Sequence, residues 1–173
     1  MNRYYSQKQL TFSESTLKMG WENRQLGIKA ADHILGFIGP YQSLNTLKGE
    51  ISYCPNTLDK MGHIRVKHLN ISKTEGILRL RLLLSIIRDQ LGNGFSRHQN
   101  IITHQGLPMN LCHIRQVKKQ IIFHIGIFIQ DLDPPKTQVS LDDLDIPPKE
   151  FILNCMDDYS KEIQNITSLC KTT

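Results

Sequence analysis

The chain has 173 residues and a formal net charge of +5, with 39% hydrophobic and 21% charged residues. That length suits one domain able to bury roughly two-thirds of its unfolded surface, and that balance excludes a disordered tail. No apolar run approaches the roughly 20 residues a membrane-spanning helix needs, and Met1 to Gln9 lacks the apolar centre of a signal peptide. Cys54, Cys112, Cys155 and Cys170 are too widely spaced for a zinc or redox motif, so reduced thiols in a cytosolic compartment are expected.

Charge is sorted along the chain. Lys60 to Lys119 carries 11 Lys and Arg against Glu75 and Asp89, whereas Gln120 to Thr173 carries 4 against 9 acidic residues. A basic middle invites phosphate, from nucleic acid or anionic lipid, and an acidic tail can shield it or meet a basic partner.

Residues 1–20 read as a flexible polar arm. Ile28, Ala31, Ile34, Leu35 and Ile38 approach helical spacing, so a short helix is expected over Leu26 to Ile38, stopped by Gly39-Pro40. Gly49 to Cys54 suits a short strand, followed by a turn at Pro55-Asn56. From Gly62, Ile64 and Val66 alternate with Arg65 and Lys67, and the phase slips toward Leu69 and Ile71, which predicts a bulge near His68. Ser72-x-x-Glu75 is a capping box before Ile77, Leu80, Leu84, Ile87 and Leu91, one helix face that Gly92-Asn93-Gly94 ends.

Ile101 to His104 and Met109 to Arg115 are expected to be extended. Ile121, Phe123, Ile125, Ile127 and Ile129 share one face of the strongest strand. Asp131-Leu-Asp-Pro-Pro-Lys136 recurs as Asp143-Leu-Asp-Ile-Pro-Pro-Lys149, a stiff acidic connector over 131–149. A last helix from Pro148 carries Ile152, Cys155, Tyr159, Ile163, Ile166 and Cys170 on one stripe. The fold class that follows is α+β: a single compact domain over 21–173, its antiparallel or mixed sheet packed against two or three helices.

No residue set announces catalysis, a cofactor or a metal. Asp131 and Asp133 flank the end of a strong strand, where two carboxylates can hold Mg²⁺, and a metal-dependent enzyme centred there is one alternative. Their copy at Asp143 and Asp145 favours a solvated acidic loop instead. Gly92-Asn93-Gly94 does not follow a strand, which argues against a nucleotide-binding loop. The stronger signal is a basic surface of Arg65, Lys67, Lys73, Arg115, Lys118 and Lys119, suited to a phosphate backbone or a lipid surface. With Phe95 the one aromatic residue between Lys60 and Lys119, base stacking is a poor fit.

The order of these segments resembles the small matrix proteins of rhabdoviruses, especially those of plant-infecting members. It rests on Gly62-His-Ile-Arg-Val-Lys-His-Leu-Asn-Ile71, the helix after it, Cys112-His-Ile-Arg115, and the long strand Lys119 to Asp131. The resemblance implies a non-enzymatic structural protein that self-associates and bridges a viral nucleocapsid to an anionic membrane surface, in the virion and the host cytoplasm. A sequence-nonspecific RNA-binding or host-interference protein is the other alternative. Pro134-Pro135 and Pro147-Pro148 are followed by Lys136-Thr137 and Lys149-Glu150, so neither makes a Pro-Pro-x-Tyr budding motif.

Overall fold

The structure is a computed structural model that describes residues 1–29, 31–42, 57–130 and 137–170. Eight strands and three α-helices appear in the order β1 (Asn2–Ser6), α1 (Trp21–Leu26), β2 (His33–Gln42), β3 (Thr57–Leu69), α2 (Lys73–Leu91), β4 (Phe95–His98), β5 (Ile101–His104), β6 (Leu107–Pro108), β7 (Asn110–Val117), β8 (Gln120–Phe128) and α3 (Pro148–Leu169). Five strands form one sheet in the order β1-β2-β3-β8-β7, and β4-β5-β6 form a second. In the larger sheet β1 runs parallel to β2 and every other pair is antiparallel. The architecture is α+β, one sheet packed against helices, as the sequence predicts.

Side chains alternate across a strand, and β3 divides its residues sharply. Ile64 and Val66 face α2 and α3, in a core shared with Leu80, Leu84, Ile87, Ile121, Phe123, Ile125, Ile152 and Tyr159. Met61 and its alternates face the other way, into a second cluster with Leu10, Phe12, Leu17, Trp21, Leu35, Phe37, Leu111 and Ile122. The sheet is therefore covered on both faces, by two long helices on one and by the N-terminal segment on the other.

The long helices form as their patterns require. Ser72 caps α2 by accepting the Glu75 N–H at 3.1 Å, and Gly92 ends the helix. Pro147 precedes α3 and Pro148 opens it, where a missing N–H is harmless.

Three expectations are corrected. Residues 1–20 are not a free arm: Asn2–Ser6 pairs with β2, Glu14–Leu17 makes a 3-10 turn, and Leu10, Phe12 and Leu17 are buried. Leu26 to Ile38 is not a helix, because α1 ends at Leu26 and His33 begins a ten-residue strand. Its partner β3, far along the chain, outweighs a local helical spacing. No register shift occurs near His68, which pairs with Ile121 in unbroken register; the irregularity lies in β2, between Gly39 and Tyr41. The strand expected at Gly49 to Cys54, the turn at Pro55-Asn56, and Asp131 and Asp133 lie outside the described residues.

Candidate functional site

The face of β3 turned from the helices carries His63, Arg65 and Lys67 in one row, all essentially without solvent exposure. Register brings further polar residues to this face. On β2, His33 lies opposite Lys67, and on β8, His124 lies opposite Arg65 and is itself opposite His113 of β7. Four strands thus supply five buried titratable side chains besides Arg65. The N-terminal segment closes over them with Phe12, Thr16, Trp21 and Glu22.

One half of the array is charged. Glu22 accepts from Arg65 Nη2 at 3.0 Å and from Lys67 Nζ at 2.6 Å, with all three side chains 2% exposed or less. Arg65 also donates from Nε to the Thr16 carbonyl at 2.8 Å and from Nη1 to His33 Nε2 at 3.2 Å, and its guanidinium lies over the Trp21 ring. Burial alone would raise the Glu22 carboxyl, but the Arg65 charge and the Lys67 hydrogen bond hold it below its ordinary value. Burial pushes His33 down to about 4, so it is neutral; its Nδ1–H donates to the Ala31 carbonyl at 2.8 Å, which leaves Nε2 to accept from Arg65.

Two cations and one carboxylate leave an uncompensated positive charge among the described residues. Burying charge costs several kcal/mol per ion, and attraction repays this only when partners are complete. Arg65 has five N–H groups and these contacts use three. Lys67 has three and spends one on Glu22. Both side chains thus keep N–H groups beyond those that the Glu22, Thr16 and His33 contacts use.

The other half is imidazole and aromatic. Phe12 stacks on His124, with ring centroids 3.6 Å apart, and also faces His63, His113 and Tyr41. His63 Nε2 lies 3.0 Å from the Gly39 carbonyl and His63 Nδ1 lies 2.9 Å from His124 Nε2. Burial holds His63 down to about 3, His113 down to about 4, and His124 well below the ordinary histidine value. All three are neutral.

A separate polar chain lies on the helix side of the sheet. His68 Nε2 is 2.8 Å from the Tyr159 hydroxyl, Arg79 donates to His68 Nδ1 at 2.9 Å, and Asp32 accepts the Leu69 N–H at 2.8 Å. It ties β3, α2, α3 and the residue before β2 together, and its groups have protein partners.

The six basic residues singled out from sequence do not share one surface. Arg65 and Lys67 are buried in the charged half, and Arg115 is half-buried on the same sheet face, in the cross-strand row of Lys67 and Ile122. Lys73, Lys118 and Lys119 are exposed, Lys73 at the start of α2 and the other two at the β7–β8 turn. Lys118 and Lys119 line a groove of about 450 Å³ with Leu69, Asn70 and Gln120. Sequence reasoning missed Glu22, Phe12, His33 and the histidine pair. The signal for them was faint: His63, Arg65 and Lys67 share one alternation phase, which identifies a polar face but not what covers it. Among the described residues no group of three or more His, Cys, Asp or Glu side chains is placed to hold a metal ion, and no helix is long and apolar enough to cross a membrane.

No family model and no curated protein matches the sequence. Solved structures match the fold. A protein of unknown function from Pyrococcus horikoshi shares it with a TM-score of 0.82 at 19% identity, over 96% of this chain and 94% of that one. A mutant biotin protein ligase from Aquifex aeolicus in complex with biotin matches with a TM-score of 0.62 at 12% identity, over 95% and 70%. A biotin protein ligase from Leishmania major in complex with biotinyl-5-AMP matches with a TM-score of 0.57 at 12% identity, over 91% and 72%. At these identities the likeness establishes the fold. It also overturns the matrix reading: a fold shared with ligases replaces that of a non-enzymatic viral structural protein, and the expected absence of enzyme activity is withdrawn with it.

Proposed function

We propose that the chain is a ligase-type enzyme acting on a small organic carboxylic acid, whose carboxylate is held at Arg65 and Lys67 beneath the N-terminal segment. The observation that carries this reading is the shared carboxylate of Glu22: among the described residues, two buried cations on one sheet face have a single buried anion between them. Fold likeness supplies the chemical class, since the neighbouring ligases hold biotin, a carboxylic acid, and biotinyl-5-AMP, its mixed anhydride with AMP.

The corresponding reaction joins an acid to AMP. A carboxylate oxygen attacks the α-phosphorus of ATP, the acyl–phosphate bond forms, and pyrophosphate leaves with the electron pair of the broken P–O bond. Arg65 and Lys67 suit this step because it brings a carboxylate against a phosphate, and fixed buried cations offset that repulsion without reorganising. Water is excluded by Phe12, Leu17 and Trp21, which strengthens the same electrostatic effect.

Entry requires the cover to lift. α1 is bounded by Gly20 and Gly27, both in the left-handed region at φ 72° and 69°, so the helix is joined to its flanks by residues that tolerate large dihedral changes. The test is acid-dependent pyrophosphate release from ATP and Mg²⁺ across biotin, a series of straight-chain fatty acids and their α-hydroxy counterparts. Release with at least one acid, lost in Lys67→Met, is the expected result. If none of these acids binds or supports release, the proposal fails.

A further inference from the structure

The proton positions in the imidazole half follow from a single backbone group. The Gly39 carbonyl can only accept, so His63 Nε2, at 3.0 Å, carries a proton and donates to it. With His63 neutral, its Nδ1 is then a bare acceptor. His124 Nε2, 2.9 Å away, must therefore be protonated and donate. His124 is neutral as well, so its own Nδ1 bears a lone pair. That Nδ1 is buried, and no described group donates to it. The two histidines are locked in series, and the series ends on an uncovered acceptor.

A buried acceptor without a donor costs on the order of 1–3 kcal/mol, so its retention calls for a purpose. Its position suggests one. His124 lies opposite Arg65 in the β3–β8 register, and antiparallel partners sit roughly 4.5–5.5 Å apart at Cα. Two buried cations and a hydrogen-bond acceptor thus stand side by side on one sheet face, with Trp21 over Arg65 and Phe12 over His124.

We infer that the ligand carries an O–H or N–H donor on the carbon next to its acid group, and that His124 Nδ1 accepts from it while Arg65 and Lys67 hold the carboxylate. The substrate class is then α-hydroxy or α-acylamino acids rather than plain aliphatic acids. This rests on the carboxylate reading and narrows it. His124 is in this role a specificity-determining residue: it distinguishes two acids of equal charge and similar shape.

The experiment compares hexanoate and decanoate with their α-hydroxy counterparts, by calorimetric titration of the full chain. The α-hydroxy acids should bind at least about tenfold more tightly, the worth of one well-made buried hydrogen bond. In His124→Phe, which keeps a flat ring against Phe12, that preference should vanish while binding of the plain acids persists. Because this variant also removes the donor to His63, the ¹⁵N resonances of wild-type imidazoles are followed in parallel. His124 Nδ1 should give an unprotonated signal that shifts on adding an α-hydroxy acid and stays put with the plain acid. Equal affinities, or a protonated Nδ1 in the free protein, overturn the inference and leave the carboxylate reading standing. If no acid of either kind binds, both fall.

Discussion

Glu22 Oε2 lies 3.0 Å from Arg65 Nη2, and this contact between a six-residue helix and the central strand joins the N-terminal segment to the sheet electrostatically. The same carboxylate holds Lys67 Nζ at 2.6 Å through its other oxygen. One side chain of the cover thus neutralises part of the polar face it conceals, and the balance of charge left there is what a bound acid would complete.

The first prediction concerns that asymmetry. Glu22→Gln removes the one carboxylate and leaves two buried cations, which should cost about 3–5 kcal/mol of stability. Lys67→Met leaves Glu22 paired with Arg65 and replaces a buried ion with an apolar chain, so its cost should stay within about 1 kcal/mol. Urea denaturation of the two variants side by side measures the difference. Equal losses would mean that the three charges do not act as a set.

A second prediction concerns acid. His33, His63 and His113 have folded values near 4, 3 and 4, and His124 also lies well below its ordinary value. In the unfolded chain they protonate near pH 6.5. The unfolded state therefore binds more protons between those limits, and stability present above about pH 6.5 is lost as pH falls toward 4. Each such histidine contributes up to about 1.4 kcal/mol per pH unit. The depressed carboxyls of Glu22 and Asp32 add a further loss, but only below their ordinary range near pH 4. Thermal melts from pH 7.5 to 4.5 should show a steep fall beginning near pH 6.5, and a flat profile down to pH 5 would refute it.

Gly39 supplies a third. A Cβ at this position would overlap the carbonyl of Leu10, where the N-terminal segment crosses β2. Gly39→Ala should cost about 1–3 kcal/mol by overpacking and should loosen the segment over the sheet. Hydrogen exchange at Leu10 to Phe12 would report this as faster than wild type, while α2 amides stay protected. Unchanged exchange at those residues would show that the close approach is relieved elsewhere.

Much of the helix side was legible before any coordinates. The Ser72 cap satisfies a local hydrogen bond, although the Glu75 carboxylate turns to Arg79 instead of closing the box, and the alternation from Ile121 to Ile127 is a local property of one strand, so both are legible without knowledge of partners. The other face was not legible. Arg65 and Lys67 alternate out of the helix-facing core in the pattern of a solvated surface, and only the return of Phe12, Trp21 and Glu22 from far upstream makes that surface interior. Leu26 to Ile38 misled for a related reason: its apolar spacing fits a helix, yet β3 and β1 offer backbone partners on both sides of β2. Glu22 itself carried no motif at all.

The central claim is that a carboxylate completes the charge at Arg65 and Lys67. It is tested most directly by titrating the wild-type chain with an acid and with its own primary amide, biotin with biotinamide and α-hydroxydecanoate with its amide, under identical conditions. The account predicts that an acid binds and that its amide, equal in shape but uncharged, binds at least about tenfold more weakly. Equal binding of acid and amide, or no binding of any acid, would contradict it.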